Sequence, residues 1–359
     1  MQAAPKLLDT PLKIIGAIGA VISLVLGANQ VTRVLSEVGE RQRQVAEMQA
    51  IAAQQVKSAD YPAAWSSIEK AITASDQGSY LAKMTGRLDE VRLDLRAVQE
   101  DLAMTWLQHV SVPSGSTFAS IVDPLLAVVT RGIVASEGTR TADLLAHAGW
   151  AYFLKSRDGS SSGDPEKAYR QAIEIESNNP FARANWGHLV MWRRGSFEEA
   201  ARHFSLALMA GRERPYVRRL QLAALRLYAS IEAERGLLLA VNDMRKAGEP
   251  IDGGTRRAVL SVYFGAFNAD ESLQRVVATL PPHEHLDTMR ALFFAGDVDT
   301  ARVPLRDAMV ALLQEAAGER AEAIVTWRAV RVATASGGDR RVATRAAAAI
   351  ARLSAPGRG

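Results

Sequence analysis

The chain has 359 residues, of which 48% are hydrophobic and 23% are charged, and its formal net charge is +4. This composition excludes a disordered charged tail, and so small a charge gives no reason to expect nucleic acid as a partner. Cysteine is absent, which excludes disulfides, thiolate metal sites, cysteine nucleophiles and a lipidated N-terminal cysteine. Abundant alanine and only 6% aromatic residues favour helices over sheets.

The N-terminal region contains one long uncharged stretch, residues 14–28, with the sequence IIGAIGAVISLVLGA. Lys13 precedes it and Arg33 follows it. As a helix this stretch spans roughly 23 Å, so flanking apolar residues and a snorkelling Lys13 are needed to cross ~30 Å of hydrocarbon. We predict an uncleaved single-pass membrane anchor, with a cleaved signal peptide and a buried soluble helix as the alternatives.

The orientation of this predicted anchor stays open, because the charges on its two sides nearly balance. Lys6, Lys13 and the terminal amine precede it, while Arg33, Arg41 and Arg43 follow it. A tail of this length usually stays in the cytoplasm, which favours a C-terminal domain outside it.

Small residues repeat every fourth position along the predicted anchor, at Gly19, Ser23 and Gly27. This spacing allows close approach of two membrane helices and predicts oligomerisation through that face. The same face continues past the anchor with apolar residues spaced by sevens: Val31, Val38, Val45 and Ala52. They form either a dimer seam or a stripe that packs on the next helix of the same chain.

Beyond residue 30 the apolar residues recur every three or four positions, which indicates helices. The segments 59–72, 195–208 and 296–308 share one pattern, in which a small, a bulky and a second small residue are spaced four and then three apart. The three sets are Ala64, Ile68 and Ala71; Ala200, Phe204 and Ala207; and Ala301, Leu305 and Ala308. Small residues at these positions let two helices of a hairpin approach closely.

This pattern resembles the second helix of the tetratricopeptide repeat (TPR). The first helix of that family resembles two other places, Gly149 with Tyr152, and the run Asn185-Trp186-Gly187. The turn after Phe153 is longer than the family's. The resemblance implies an all-α fold of stacked helical hairpins that together bury their apolar faces and bind protein partners.

We predict five segments along the chain: a tail and anchor over 1–30, a weakly TPR-like hairpin over 31–76, a long amphipathic helix over 77–112, TPR-like repeats over 113–211, and degenerate repeats with a basic capping helix over 212–359. The long helix, over roughly 78–110, carries a heptad seam of Leu81, Met84, Leu88, Val91, Leu95, Val98 and Leu102. This seam favours packing on the hairpins of the same chain, with a coiled coil between two copies as the alternative.

Motifs for catalysis or metal binding are weak. Ser161 satisfies the expression G-x-S-x-G, but it lies in a Ser/Gly loop between predicted helices and not at a strand-to-helix turn. His283 and His285 are two residues apart, so on a helix their side chains diverge and do not converge on a metal. We expect no catalytic residues, no metal and no cofactor, and hence no enzyme.

What remains is protein binding. Asn185, His188, Trp192 and Arg193 lie on one predicted first helix and combine polar, aromatic and basic groups, so we predict that they contact a partner. Arginines cluster beside Pro215, where they either meet an acidic partner or form a solvated face: Arg212, Arg214, Arg218 and Arg219. A second basic cluster, Arg341, Arg345 and Arg352, belongs to the predicted capping helix and could instead meet anionic lipid.

The sequence therefore predicts a membrane-tethered scaffold or assembly factor that holds a protein partner of unknown identity. It resembles the membrane-anchored TPR proteins of Gram-negative bacteria in its overall plan. This resemblance implies a single-pass protein of the bacterial inner membrane, with a slight preference for a periplasmic C-terminal domain. One alternative is a structural homo-oligomer, possible as a homodimer, that uses the small-residue face of the anchor and the 81–102 seam. The other is an accessory domain of an enzyme complex.

Overall fold

The computed structural model describes residues 9–77, 79–160, 162–193, 195–267, 270–293, 303–335 and 339–355, with side chains from residue 29 onward except that of Phe293. Within these ranges the regular secondary structure is entirely helical, which confirms the predicted all-α class. The chain forms two compact units, Met1–Ser177 and Asn178–Gly359.

The first unit is built from α1 to α7, and helices adjacent in sequence pack against each other. Their bounds are α1 Asp9–Lys57, α2 Tyr61–Asp76, α3 Tyr80–Met84, α4 Arg87–Leu107, α5 Phe118–Ala135, α6 Gly138–Ser156 and α7 Pro165–Ile175. The predicted anchor and its small residues Gly19, Ser23 and Gly27 belong to α1, outside the residues whose side chains are described. Anchoring and oligomerisation through them stay predictions.

One face of α1 packs on α3 and α4 of the same chain. Val38 is buried with Ala82 and Leu88, and Val45 is buried with Leu95. Leu88 and Leu95 belong to the heptad seam of α4. They are seven residues apart, as are Val38 and Val45 on α1. At Val38 and Val45 the apolar stripe beyond the predicted anchor therefore packs within the chain, whereas Val31 keeps 59% of its surface exposed.

The helix predicted over 78–110 is divided into two helices. Gly86, with φ of 71°, separates α3 from α4. Glycine adopts this left-handed backbone without the steric cost that other residues meet, and it commonly ends a helix. Leu81 and Met84, which precede the break, are 49% and 69% exposed. After the break, Leu88, Leu95 and Leu102 of the seam are buried in the core, whereas Val98 is 38% exposed.

Among the residues whose side chains are described, α5 is the one helix long and apolar enough to cross a membrane, by length and composition alone. It packs on α4 and α6, and Leu125 and Val129 have no exposed surface. The side of α5 that carries Leu125 and Val129 therefore belongs to the core of the first unit, whereas Val134 keeps 87% of its surface exposed.

The hairpin of α6 and α7 contains the long turn seen in the sequence. Gly149 of α6 lies against the ring of Tyr169 on α7. In the turn, the Asp158 carboxylate accepts a hydrogen bond from the backbone N–H of Phe118 at 2.6 Å, at the start of α5. Asp158 of this long turn thus caps the start of α5.

The second unit continues the hairpin arrangement with α8 to α17. Their bounds are α8 Pro180–Trp192, α9 Phe197–Met209, α10 Arg214–Leu225, α11 Ile231–Lys246, α12 Gly253–Phe267, α13 Asp270–Val277, α14 Pro282–Phe293, α15 Val303–Ala316, α16 Arg320–Thr334 and α17 Arg340–Ser354. Helices α8 and α9 pack together as a hairpin within the predicted repeat region 113–211, and α10 packs on α8. Ala200, Phe204 and Ala207 are all buried.

Two features fix where α8 begins. Asn179 accepts a hydrogen bond through its side-chain oxygen from the backbone N–H of Ala182 at 2.9 Å, and Pro180 occupies the first turn. Asparagine at the cap and proline just inside the helix are both favourable there. The same combination, with aspartate as the cap, begins α2 and α7.

The C-terminal helix α17 uses its basic residues within the chain. Arg345 donates to the backbone oxygen of Phe267 at 2.8 Å and pairs with Asp270. Arg352 pairs with Glu315 of α15 at 2.5 Å. These two arginines of the predicted basic face therefore bind neighbouring helices of the second unit.

Candidate partner-binding site

The predicted partner-binding face of α8 is divided between interior and surface. Asn185 is fully buried, and its side-chain oxygen accepts a hydrogen bond from the hydroxyl of Tyr216 on α10. His188 is also buried, with 8% of its surface exposed. Because α10 packs on α8, Asn185 and His188 lie in the interior of the second unit, and partner contact through them stays a prediction.

Trp192 and Arg193, the other two predicted residues, lie at the C-terminal end of α8 and are exposed. The Trp192 side chain keeps 41% of its surface in contact with solvent. Its backbone is held in place, because Tyr228 donates its hydroxyl hydrogen to the Trp192 carbonyl oxygen at 3.0 Å. A partially exposed aromatic ring on a fixed backbone has the character of an interface anchor. Binding through these two residues stays a prediction.

Tyr216 organises the contact between α8 and α10. Its ring lies 5.1 Å from that of Phe181 in an edge-on arrangement. Arg219 lies over the same Tyr216 ring at 5.3 Å, and Arg212 lies over Phe181 at 5.8 Å. Burial raises the pKa of the Tyr216 hydroxyl, so it stays protonated and donates to Asn185.

The arginines at the start of α10 do not form a simple solvated face. Glu249, in the loop between α11 and α12, accepts from Arg214 Nε at 2.9 Å and from Arg218 Nε at 3.0 Å. Arg218 also donates to Gln221 at 2.9 Å, and only 6% of its side chain is exposed. One carboxylate thus holds two guanidinium groups, and one of these is almost completely removed from water.

A pocket of about 500 Å³ opens beside this ion pair, between α10 and the loop that leads to α12. Its walls combine apolar side chains with charged ones. The charged and polar lining residues are Arg214, Arg218, Arg219, Arg226, Glu249, Asp252 and Thr255, and the apolar ones are Pro215, Leu222, Ala223, Met244 and Pro250. We call this cavity the arginine pocket.

The far wall of the arginine pocket is held by a second polar cluster. Arg226 donates to the Thr255 hydroxyl oxygen at 2.5 Å, and Thr255 N donates to Asp252 at 2.9 Å. Partial burial alone would raise the pKa of Asp252, but the hydrogen bonds from Thr255 and the charge of Arg226 lower this pKa below its usual value. Asp252 is therefore ionised at neutral pH.

The charges of the arginine pocket do not cancel. Four guanidinium groups and two carboxylates line it, which leaves an excess of two positive charges. Guanidinium groups bind carboxylates and other oxyanions through paired N–H donors, and an apolar wall nearby strengthens such contacts by reducing water access. The pocket is therefore suited to an acidic group attached to an apolar one.

The other histidines and the serine motif add no catalytic arrangement to the described part of the chain. His285 is buried and its Nδ1 lies 2.8 Å from the Tyr263 hydroxyl, while His283 is exposed. Among the residues that the structure describes, no three histidine or acidic side chains come together as metal ligands. Ser161 lies outside the described residues.

Sequence reasoning found half of the arginine pocket and missed the rest. The predicted cluster included Arg214, Arg218 and Arg219 of the pocket but not Arg226, and Arg214 and Arg218 are neighbours on α10 because they are four positions apart. Glu249 and Asp252 carry no local signal, since they follow α11 in a loop. Only the tertiary fold brings them to the arginines.

The chain was compared with known proteins. No protein-family model matches it, and no curated protein sequence matches it. Among solved structures, a tetratricopeptide repeat protein from Parabacteroides merdae is similar with 12% identity and a TM-score of 0.37, over 86% of this chain and 99% of the other. The chain's own helices form hairpins, α6 with α7 and α8 with α9, and in each a glycine lies against an aromatic ring.

Proposed function

We propose that the protein is a non-catalytic interaction scaffold that binds an acidic segment of a partner protein in the arginine pocket. The observation that supports this most directly is the excess of guanidinium groups around an apolar-walled cavity. Arg219 and Arg226 remain at the surface, where an incoming carboxylate can reach them. Trp192 and Arg193, in the same unit, supply a second contact for the same partner.

The proposal includes tethering to a bacterial inner membrane by residues 14–28. It is supported by fifteen consecutive uncharged residues with basic residues on both sides. In this arrangement the anchor fixes the chain at the membrane and the helical hairpins present the binding surface. A reporter enzyme fused after Gly359 would establish on which side of the membrane the second unit lies, and recovery of a soluble, processed chain would contradict the anchor.

The binding proposal is tested by photocrosslinking in the native host. A benzoylphenylalanine replaces Trp192, and crosslinked products of the full chain are identified by mass spectrometry. We expect a protein partner whose crosslink is lost when Arg219→Glu reverses a charge at the rim of the arginine pocket. The matched control is Arg328→Glu, an exposed arginine on α16, which should leave the crosslink unchanged.

Two results would contradict this function. One is a crosslink to a partner protein that persists in the Arg219→Glu chain and is lost only when the salt concentration is raised. The other is a set of crosslinks only between copies of this chain, which would favour the homo-oligomer. The homo-oligomer would use the 81–102 heptad seam. Within the described residues, Leu88 and Leu95 of this seam already pack against α1 of the same chain.

A further inference from the structure

A second surface of opposite charge lies between α9 and α11 in the same unit as the arginine pocket. Here a groove of about 560 Å³ is walled by the two helices and floored by residues of α8 and α10. The lining residues used below are Phe197, Glu198, Phe204, Leu225, Glu232, Arg235, Leu239 and Asp243. We call this feature the acidic groove.

The floor and walls of the acidic groove are apolar. Phe204 and Met191 are buried beneath it, whereas Leu239 of α11 keeps 39% of its surface exposed. Gly236 lets α11 approach the floor, because a Cβ at that position would lie 2.7 Å from a methyl carbon of Leu225. The groove is therefore an apolar channel that its own side chains leave open.

The rim of the acidic groove carries three carboxylates, Glu198, Glu232 and Asp243, against one guanidinium, Arg235. All four are exposed, and none of them takes part in an ion pair among the described residues. The rim thus has an excess of two negative charges over an apolar floor. This combination is complementary to an apolar segment flanked by basic residues.

The walls also indicate the conformation of the occupant. Lining residues run from Phe197 to Ser205 on α9 and from Glu232 to Asp243 on α11, so the walls are about 12 and 16 Å long. Two or three turns of a helix fit this length. An added strand would need an exposed sheet edge to pair with, whereas a channel between helices takes the apolar face of another helix.

We infer that the acidic groove docks an amphipathic helix of a second partner protein, with Leu-type residues on one face and Lys or Arg beside them. This inference goes beyond the proposed function, because it gives the scaffold two sites of opposite charge for two different partners. The groove lies on the second helices of the hairpins, α9 and α11, and the arginine pocket lies on the first helix α10.

The test uses the full chain in nanodiscs of phosphatidylcholine and two fluorescein-labelled peptides of sixteen residues. Both peptides carry leucine at every third or fourth position; one has lysines beside the leucines, and its twin has glutamates. We expect saturable binding of the lysine peptide, by fluorescence anisotropy, with a Kd at least tenfold lower than that of the twin. Empty nanodiscs correct for binding to lipid.

Variants locate the binding on the chain. Leu239→Glu should weaken binding of the lysine peptide at least tenfold, and the combined change Glu198→Lys, Glu232→Lys and Asp243→Lys should reverse the preference between the two peptides. The matched controls are Val325→Glu, which is exposed on α16, and Glu234→Lys, on α11 but outside the groove. Both should leave the Kd unchanged, and circular dichroism checks that every variant remains helical.

Because the chain has no cysteine, Ser205→Cys can carry a single environment-sensitive dye in the groove. Its emission should shift on adding the lysine peptide. Equal affinity for both peptides, no effect of either groove variant, or self-association that Leu239→Glu abolishes would overturn the inference. The arginine pocket is tested separately through Arg219→Glu. If the inference fails but the Leu239→Glu chain still crosslinks the partner of the arginine pocket, the proposed function stands.

Discussion

Gly149 on α6 lies directly against the ring of Tyr169 on α7. A Cβ at position 149 would be 2.5 Å from Cε1 of that ring and 3.1 Å from the backbone oxygen of Pro165. Gly187 on α8 faces the ring of Phe204 on α9 in the same way, at 3.1 Å. In both hairpins the absence of a side chain lets an aromatic residue of the second helix reach the backbone of the first.

We expect Gly149→Ala to destabilise the α6–α7 hairpin by about 1–3 kcal/mol, because the new methyl group overlaps the Tyr169 ring and the nearby carbonyl cannot move freely. Hydrogen exchange measured by mass spectrometry should show faster exchange in α6 and α7. The control is Gly265→Ala in α12, where an added Cβ meets no atom within 4 Å. That change should instead stabilise its helix by up to about 1 kcal/mol, and equal behaviour of the two variants would contradict the proposed packing.

The packing of α1 on α4 predicts the effect of shortening Leu95, which has no exposed surface. Leu95→Ala should cost about 2–5 kcal/mol, because it opens a cavity beside Val45. Leu93→Ala on the same helix should change stability by less than about 0.5 kcal/mol, since Leu93 is 63% exposed. Urea unfolding of the full-length variants, at two protein concentrations, measures both changes in stability. If the urea midpoint of the wild type rises with protein concentration, the seam joins two copies.

The sequence was sufficient for the helical class and for the hairpins. The spacing of Ala200, Phe204 and Ala207 identifies the buried face of α9, because small and bulky residues at fixed intervals leave few ways to pack. The heptad seam did not reveal that the helix is interrupted at Gly86. Its apolar residues keep their spacing across position 86, and the left-handed backbone of Gly86 depends on the neighbouring turn.

The candidate site was less predictable than the fold, for a physical reason. Periodicity shows that Asn185, His188 and Trp192 share a side of α8, but it does not show how far α10 covers that side. Burial of Asn185 depends on Tyr216, thirty-one residues further along the chain. Glu249 likewise pairs with Arg218 only through the tertiary fold, so no local pattern could reveal the acidic side of the arginine pocket.

The ion pair at the base of the arginine pocket leads to a further prediction. In the Glu249→Gln chain the Arg218 guanidinium would stay buried without a compensating charge, which should destabilise the second unit by about 3 kcal/mol or more. Glu234→Gln, an exposed carboxylate on α11, should have little effect. The free energies of local opening of α10 and α11 by hydrogen exchange test this, and equal values for the two variants would show that Glu249 does not stabilise Arg218.

His147, which is fully buried in α6, makes the first unit sensitive to acid. Its Nδ1 lies 2.7 Å from the Asp143 carbonyl oxygen and its Nε2 lies 3.0 Å from Gln108 Nε2. The neutral ring therefore donates through Nδ1 and accepts from the Gln108 amide through Nε2. Burial lowers the pKa of His147 to about 4, below the usual value near 6.5 in an unfolded chain.

Because the unfolded chain binds a proton at His147 before the folded chain does, stability should be complete above about pH 6.5 and should fall as the pH drops to about 4. The loss from this residue amounts to about 3 kcal/mol, since each pKa unit corresponds to about 1.4 kcal/mol. Gln108→Glu would place a carboxylate against Nε2, favour the charged ring, and reduce this loss. Opening of α6, measured by hydrogen exchange between pH 7 and pH 4 after correction for intrinsic rates, should show the difference. The control His283→Gln removes an exposed histidine and should leave the pH profile unchanged, whereas a profile that Gln108→Glu does not alter would exclude His147 as its source.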